Sequence, residues 1–133
     1  MVFDPSAAPR DRGEFLRWYE RQTEWSEDHS YNDPAVACPA LQAWFHEMQA
    51  FFPAMNGPFA SPSDDSTVTD HCVGRSVIYS AFGWSVAESA YLKTRELAVK
   101  HRLGFYDVSG DGGELLFPPF DPASNNRSKG RDA

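Results

Sequence analysis

Between residues 25 and 34 the chain reads WSEDHSYNDP, which places Glu27, Asp28, His29 and Asp33 close together between Trp25 and Tyr31. Carboxylates beside an imidazole suit three kinds of chemistry: proton transfer, metal ligation, or recognition of a basic partner. A general acid and base need environments that push their pKa values apart in a concave site. Here the carboxylates adjoin one another in a polar stretch, and no nucleophile or oxyanion-hole motif accompanies them. A metal site wants His and carboxylate ligands at set spacings, with a further His or Cys cluster. His29, His46, His71 and His101 are instead scattered along the chain. A catalytic loop stays open beside two further readings. One is a helix-connecting loop in which Asp28 or Ser30 caps local backbone and Tyr31 packs down. The other is a partner-binding loop.

Other stretches carry weaker signals. In TDHC, residues 69–72, an extended strand sends His71 and Cys72 to opposite faces, so they do not form a thiol–imidazole couple. GDGG, residues 110–113, lacks the GKS or GKT ending of a phosphate loop and the oxygen ligands of a calcium loop, and reads as a hairpin turn. Cys38 and Cys72 are too few and too unpatterned for a disulfide framework or zinc site, and read as small, partly buried thiols. The loop FFPAMNGPFASPSDDS offers Met55 and Phe59 among helix breakers, followed by Asp64 and Asp65. Met and aromatics are enriched in interfaces, although these two side chains can equally tuck back onto the core.

Charge adds to this. The chain of 133 residues has a net charge of −7, from 12 Lys and Arg against 19 Asp and Glu. From Gln22 to Gly74 there is no Lys or Arg, while eight acids give −8 over 53 residues; the remainder sums to +1. Such a bias is not required for folding and opposes it by self-repulsion. It serves solubility, or it speeds encounter with a basic partner. It argues against binding nucleic acid, which rests on basic side chains, and against anionic membrane surfaces. No apolar run is long enough for a membrane span, and the first residues lack the basic patch and apolar run of a signal peptide. The expected location is cytoplasmic.

The elements that must position these residues are legible from periodicity. A first helix is predicted over about 10–25, with Asp11 and Glu14 at capping-box spacing and Phe15, Trp18, Tyr19, Gln22 and Trp25 near one face; Gly13 favours a later start. A second is predicted over 39–52, with Pro39 at its first position and an apolar stripe through Leu41, Trp44, Phe45, Met48, Phe51 and Phe52. Residues 67–82 read as one long bent strand or a hairpin turning at Gly74–Arg75. A third helix is predicted from Val86 to Arg102, with Ser85 and Glu88 as a capping box and Gly104 as its stop. A hairpin follows, Phe105–Val108 with Glu114–Phe117. The order predicts an α+β fold, with three main helices packed over one face of an antiparallel sheet of three to four strands. It forms a single domain over residues 1–120, followed by a disordered polar tail at 121–133.

The stretches FDPSAAPRDRGEFLRWYERQTEWSEDHSYNDP, ALQAWFHEMQAFFPAMNGP and LGFYDVSGDGGE resemble small bacterial immunity proteins encoded beside polymorphic or type VI secreted toxins. The resemblance covers about residues 3–117. It implies a non-enzymatic cytosolic protein that binds a cognate toxin and covers its active site, with no cofactor or metal of its own. The acidic span matches the habit of such proteins of being acidic where the toxin, at a basic active-site cleft, is basic. The residues nominated for partner binding are Trp25, Glu27, Asp28, His29, Tyr31 and Asp33, with Met55, Phe59, Asp64 and Asp65 as a second patch. The alternatives are a small metal-dependent hydrolase using His29 or His71 with nearby carboxylates, and a regulatory subunit without catalysis.

Overall fold

Adjacent residues near the start of the chain divide the core in two. Val2 packs with Leu41, Trp44, Ile78 and Phe105, whereas Phe3 packs with Phe15, Trp18, Val77 and Tyr106. Successive side chains of a strand point to opposite faces, so a strand at Val2–Phe3, β1, has helices on both sides. The computed structural model describes residues 1–108 and 113–119. The hairpin turn expected at 110–113, except Gly113, and the tail expected to be disordered, 121–133, lie outside the described residues.

After β1 come α1 (Arg12–Gln22), a 3-10 turn (Pro34–Val36), α2 (Pro39–Met48), β2 (Asp70–Val73), β3 (Val77–Ala81), a second 3-10 turn (Trp84–Val86), α3 (Ala87–Lys100), β4 (Gly104–Tyr106) and β5 (Leu115–Leu116). The strands form one sheet in the order β2-β3-β1-β4-β5, with every neighbouring pair antiparallel. The fold is α+β. The sheet has five strands rather than three or four, because the two-residue β1 sits at its centre, too short to show a period. Residues 67–82 form a hairpin, β2–β3, turning at Gly74–Arg75. The helices do not share one face of the sheet. The residues of α2 and α3 pack with Val2, Val73 and Ile78, and those of α1 with Phe3 and Val77.

The helix ends follow local chemistry. Asp11 caps α1 by accepting from the Glu14 N–H at 3.0 Å, and α1 begins at Arg12 with Gly13 inside it. It ends at Gln22, short of the predicted 25. Pro39 opens α2 as expected, but α2 stops at Met48. Leu41, Trp44, Phe45 and Met48 are fully buried, each contributing roughly 1.5–3 kcal/mol by removal from water. Phe51 instead stands exposed, with the Lys93 ammonium 4.2 Å from its ring centroid. Ser85 does not cap α3; it lies in the 3-10 turn, and Val86 takes the cap position without a side-chain bond. At the other end Arg102, not glycine, takes the left-handed conformation (φ 57°), while Leu103 N–H donates to Ala98 O at 2.9 Å, closing a Schellman-type stop. Gly104 lies in β4, and a β-carbon there would fall 2.1 Å from the Phe3 ring.

Candidate functional site

The loop after α1 begins with a reversal. The Thr23 hydroxyl bonds back to Tyr19 O at 3.0 Å, and Trp25 adopts a φ of 52°. For a bulky residue that left-handed conformation costs about 1–2 kcal/mol. It brings the indole edge-on to Tyr31 at 5.1 Å and Tyr79 at 6.3 Å. Tyr31 then closes the loop on itself: its hydroxyl accepts from Glu27 N–H and donates to Glu27 O. Its carbonyl accepts from Val73 N–H at 2.7 Å, tying the loop to β2.

Glu27 is a clamp. One carboxylate oxygen accepts from Arg75 N–H at 3.1 Å, in the β2–β3 turn, and from His29 Nε2 at 2.5 Å. His29 Nδ1 lies 2.7 Å from Ser30 O. Both partners of the ring are acceptors, so both ring nitrogens must carry hydrogen, and only the imidazolium does so. The bond to Ser30 O, and then the Glu27 carboxylate, accordingly raise the His29 pKa above its ordinary value. Asp33 caps the first 3-10 turn, accepting from Ala35 N–H at 2.9 Å. Asp33 thus does the capping expected of Asp28 or Ser30. Asp28 stands exposed.

The second nominated patch is built from the end of α2. Gln49 accepts from Ala54 N–H at 2.7 Å and donates to Phe59 O at 3.1 Å. Met55 N–H donates to Thr69 O at 2.8 Å. Met55 and Phe59 are 50% and 41% exposed, and Phe59 also rests against the core residue Phe45, ring centroids 6.0 Å apart. Phe59 lies edge-on to the His46 ring at 4.9 Å. Asp65 accepts from Thr67 and Ser63, and the Thr67 hydroxyl leads in holding its carboxyl below the usual range. Asp64 is exposed.

The two loops, some 25 residues apart in sequence, meet at Asn32 and Gly57. A β-carbon on Gly57 (φ 90°) would fall 2.2 Å from Asn32 O. The nominated residues therefore belong to adjoining loops with two kinds of member. Glu27, His29, Tyr31 and Asp33 direct their polar atoms into the loop itself and, through Glu27, the β2–β3 turn, while Asp28, Met55, Phe59 and Asp64 are exposed.

Two further histidines, His71 and His101, serve the fold. His71 is buried, with Nε2 2.9 Å from Phe52 O and Nδ1 2.7 Å from Ser80 Oγ. The carbonyl only accepts, so Nε2 carries the hydrogen and Nδ1 accepts from the Ser80 hydroxyl. Burial lowers the His71 pKa. His101 and Lys100 both reach Glu47, joining α3 to α2. Among the described residues no group of three or more His, Cys, Asp or Glu side chains is placed to hold a metal ion. Nor is any helix there long and apolar enough to cross a membrane.

A cavity of about 300 Å³ opens beside the first loop, between the end of α1 and the β2–β3 hairpin. Tyr19, Trp25, Asp70, Cys72 and Tyr79 line it. Cys72 pairs across the strands with Tyr79, and Asp70 with Ala81, all on the face opposite His71. Sequence reasoning separated Cys72 from His71 correctly but missed what it would join. The available signal was strand alternation, Asp70-x-Cys72 opposite Tyr79-x-Ala81, together with the aromatic Trp25 just after a helix end.

No family model matches the chain, and comparison with the curated proteins and with the solved structures likewise gives no match.

Proposed function

We propose that this protein is an immunity protein, one that binds a cognate bacterial toxin and neutralises it by covering its active site. The observation that carries the reading is the meeting of the two nominated loops at Asn32 and Gly57. It sets the outward carboxylates Asp28 and Asp64 and the exposed side chains of Met55 and Phe59 on adjoining loops, within a span that has no Lys or Arg. Exposed apolar anchors give such a surface contact area, and unopposed carboxylates attract a basic cleft. The resemblance noted in the sequence supplies the biological setting, a cytoplasmic antidote without catalysis, cofactor or metal.

The test is affinity purification of the tagged chain from its native cells at low and high salt, with mass spectrometry of what stays bound. The reading requires one stoichiometric partner whose expression alone kills cells and whose toxicity this chain abolishes. A harmless stoichiometric partner points to a regulatory subunit. A bound metal or metabolite in place of any protein points to an enzyme.

A further inference from the structure

We infer that the cavity between the end of α1 and the β2–β3 hairpin receives an arginine side chain of a protein partner. The inference rests on the proposed function only for the source of that arginine; the cavity's preference for a guanidinium stands without it.

Three features converge. The first is shape: the cavity is about 300 Å³, walled by the rings of Tyr19, Trp25 and Tyr79, with Trp25 and Tyr79 at an interplanar angle of 89°. The face of an aromatic ring attracts a cation, so a lining with three such rings favours a positively charged guest. The second is charge. Asp70 contributes a carboxylate to the lining. Burial, followed by neighbouring Tyr79, pushes the Tyr19 phenol up to about 12, and burial pushes the Cys72 thiol up, so neither of these two groups adds a charge beside it. Asp70 is thus the formal charge of the lining, and exposed Glu24 stands beside Trp25 in the chain. The third is the left-handed backbone of Trp25. Strained conformations cluster where a fold must aim a side chain, and here the strain carries the indole to the rim of the cavity.

An aromatic ligand without charge would use the rings but waste the carboxylate. A compact ammonium would use the carboxylate but is more strongly hydrated. The planar guanidinium stacks on ring faces, is weakly hydrated, and pairs with a carboxylate through parallel N–H bonds. The cavity lies at the first residue of the loop that Asn32 joins to Gly57, so an arginine projecting from a partner on that surface is within reach of it.

The full chain, labelled with 15N, is titrated with N-acetyl-arginine amide and with its neutral isostere, N-acetyl-citrulline amide. The readout is the Trp25 indole N–H signal, identified by its loss in Trp25→Phe. The arginine probe should shift that signal saturably and slow alkylation of Cys72, with Cys38 as the internal control. Citrulline should bind at least about tenfold more weakly, as should arginine to Asp70→Asn. Equal responses of the unaltered chain to the two probes, or no saturable shift of any of its four indole signals, would overturn the assignment. If a toxin partner is captured and Asp70→Asn binds it with unchanged affinity, the cavity assignment fails and the immunity reading survives. If the free arginine probe binds as described but no protein partner is found, the immunity reading fails and the guanidinium preference stands.

Discussion

The carbonyl of Asn32 lies directly over the α-carbon of Gly57, leaving no room for a side chain between the two loops. Gly57→Ala should therefore separate them. The substitution meets both a clash with backbone and a φ of 90° that L-residues rarely adopt. Together these should cost about 2 kcal/mol or more, read as a lower denaturation midpoint at constant slope. If the loops form the proposed surface, partner affinity falls further than stability alone requires. A Gly57→Ala protein as stable as the parent would contradict the packing described.

Glu27 and Asp28 look interchangeable in the sequence, two acids side by side in an acidic loop. The structure separates them. Asp28→Lys should leave the denaturation midpoint unchanged while slowing association with a basic partner and flattening its salt dependence. Glu27→Lys should destabilise the fold, because it removes the acceptor shared by Arg75 N–H and His29. Losing hydrogen bonds to a charged group costs roughly 1.5–3 kcal/mol. Parallel stability and stopped-flow measurements on the two variants check both halves, and equal stability losses would count against the clamp.

His29 and His71 should respond to pH in opposite directions. In the folded state His29 is raised above its ordinary 6.5 by Ser30 O and Glu27. Its contribution to stability is full below about pH 6.5 and is lost as pH rises through the folded value. His71 is lowered from the same 6.5 by burial. Its contribution is full above 6.5 and is lost as pH falls toward the folded value. Ring-proton titrations by NMR should place the two midpoints on either side of 6.5. The protection of amides at residues 27–31 relative to their intrinsic exchange should fall on the alkaline side, and the acid limb of the stability profile should shrink in His71→Gln. Coincident midpoints would refute both hydrogen-bond assignments.

The sequence reading succeeded where one residue type has one physical use. Asp11 with Glu14 marked the start of α1, Pro39 opened α2, and the stripe Leu41–Trp44–Phe45–Met48 is core. It failed where a contact distant in sequence decides. Phe51 continues the stripe, yet α2 has already ended and Lys93 covers its ring. Trp25 continues the stripe of α1, but a left-handed turn lifts it toward β3. At the site, residue choice was legible and role was not. His29 and Glu27 read as recognition groups because nothing in WSEDHSYNDP reveals that Arg75 N–H, 48 positions away, shares the carboxylate. Tyr19 read as part of one helix face, and Asp70 and Tyr79 as strand residues, because only the register of β2 with β3 and the packing of the end of α1 against them bring the three together.

Gly104 has the sequence position of a helix stop, yet it lies in β4 opposite Phe3. The stop is made by Arg102, so a larger residue at 104 does not disturb the end of α3. It collides instead with Phe3, whose register places it opposite Gly104. A β-carbon would sit 2.1 Å from a ring that is fully buried against Phe15, Trp18 and Phe117. A ring so enclosed has no free direction in which to move, and overpacking of this kind costs about 1–3 kcal/mol or more. Gly104→Ala should thus destabilise strongly, while Gly104→Ala combined with Phe3→Leu should recover part of the loss by vacating the ring edge. A double-mutant cycle measured by denaturation gives the coupling. Strictly additive effects would mean that Phe3 and Gly104 are not cross-strand neighbours, and the central position of β1 would fall with them.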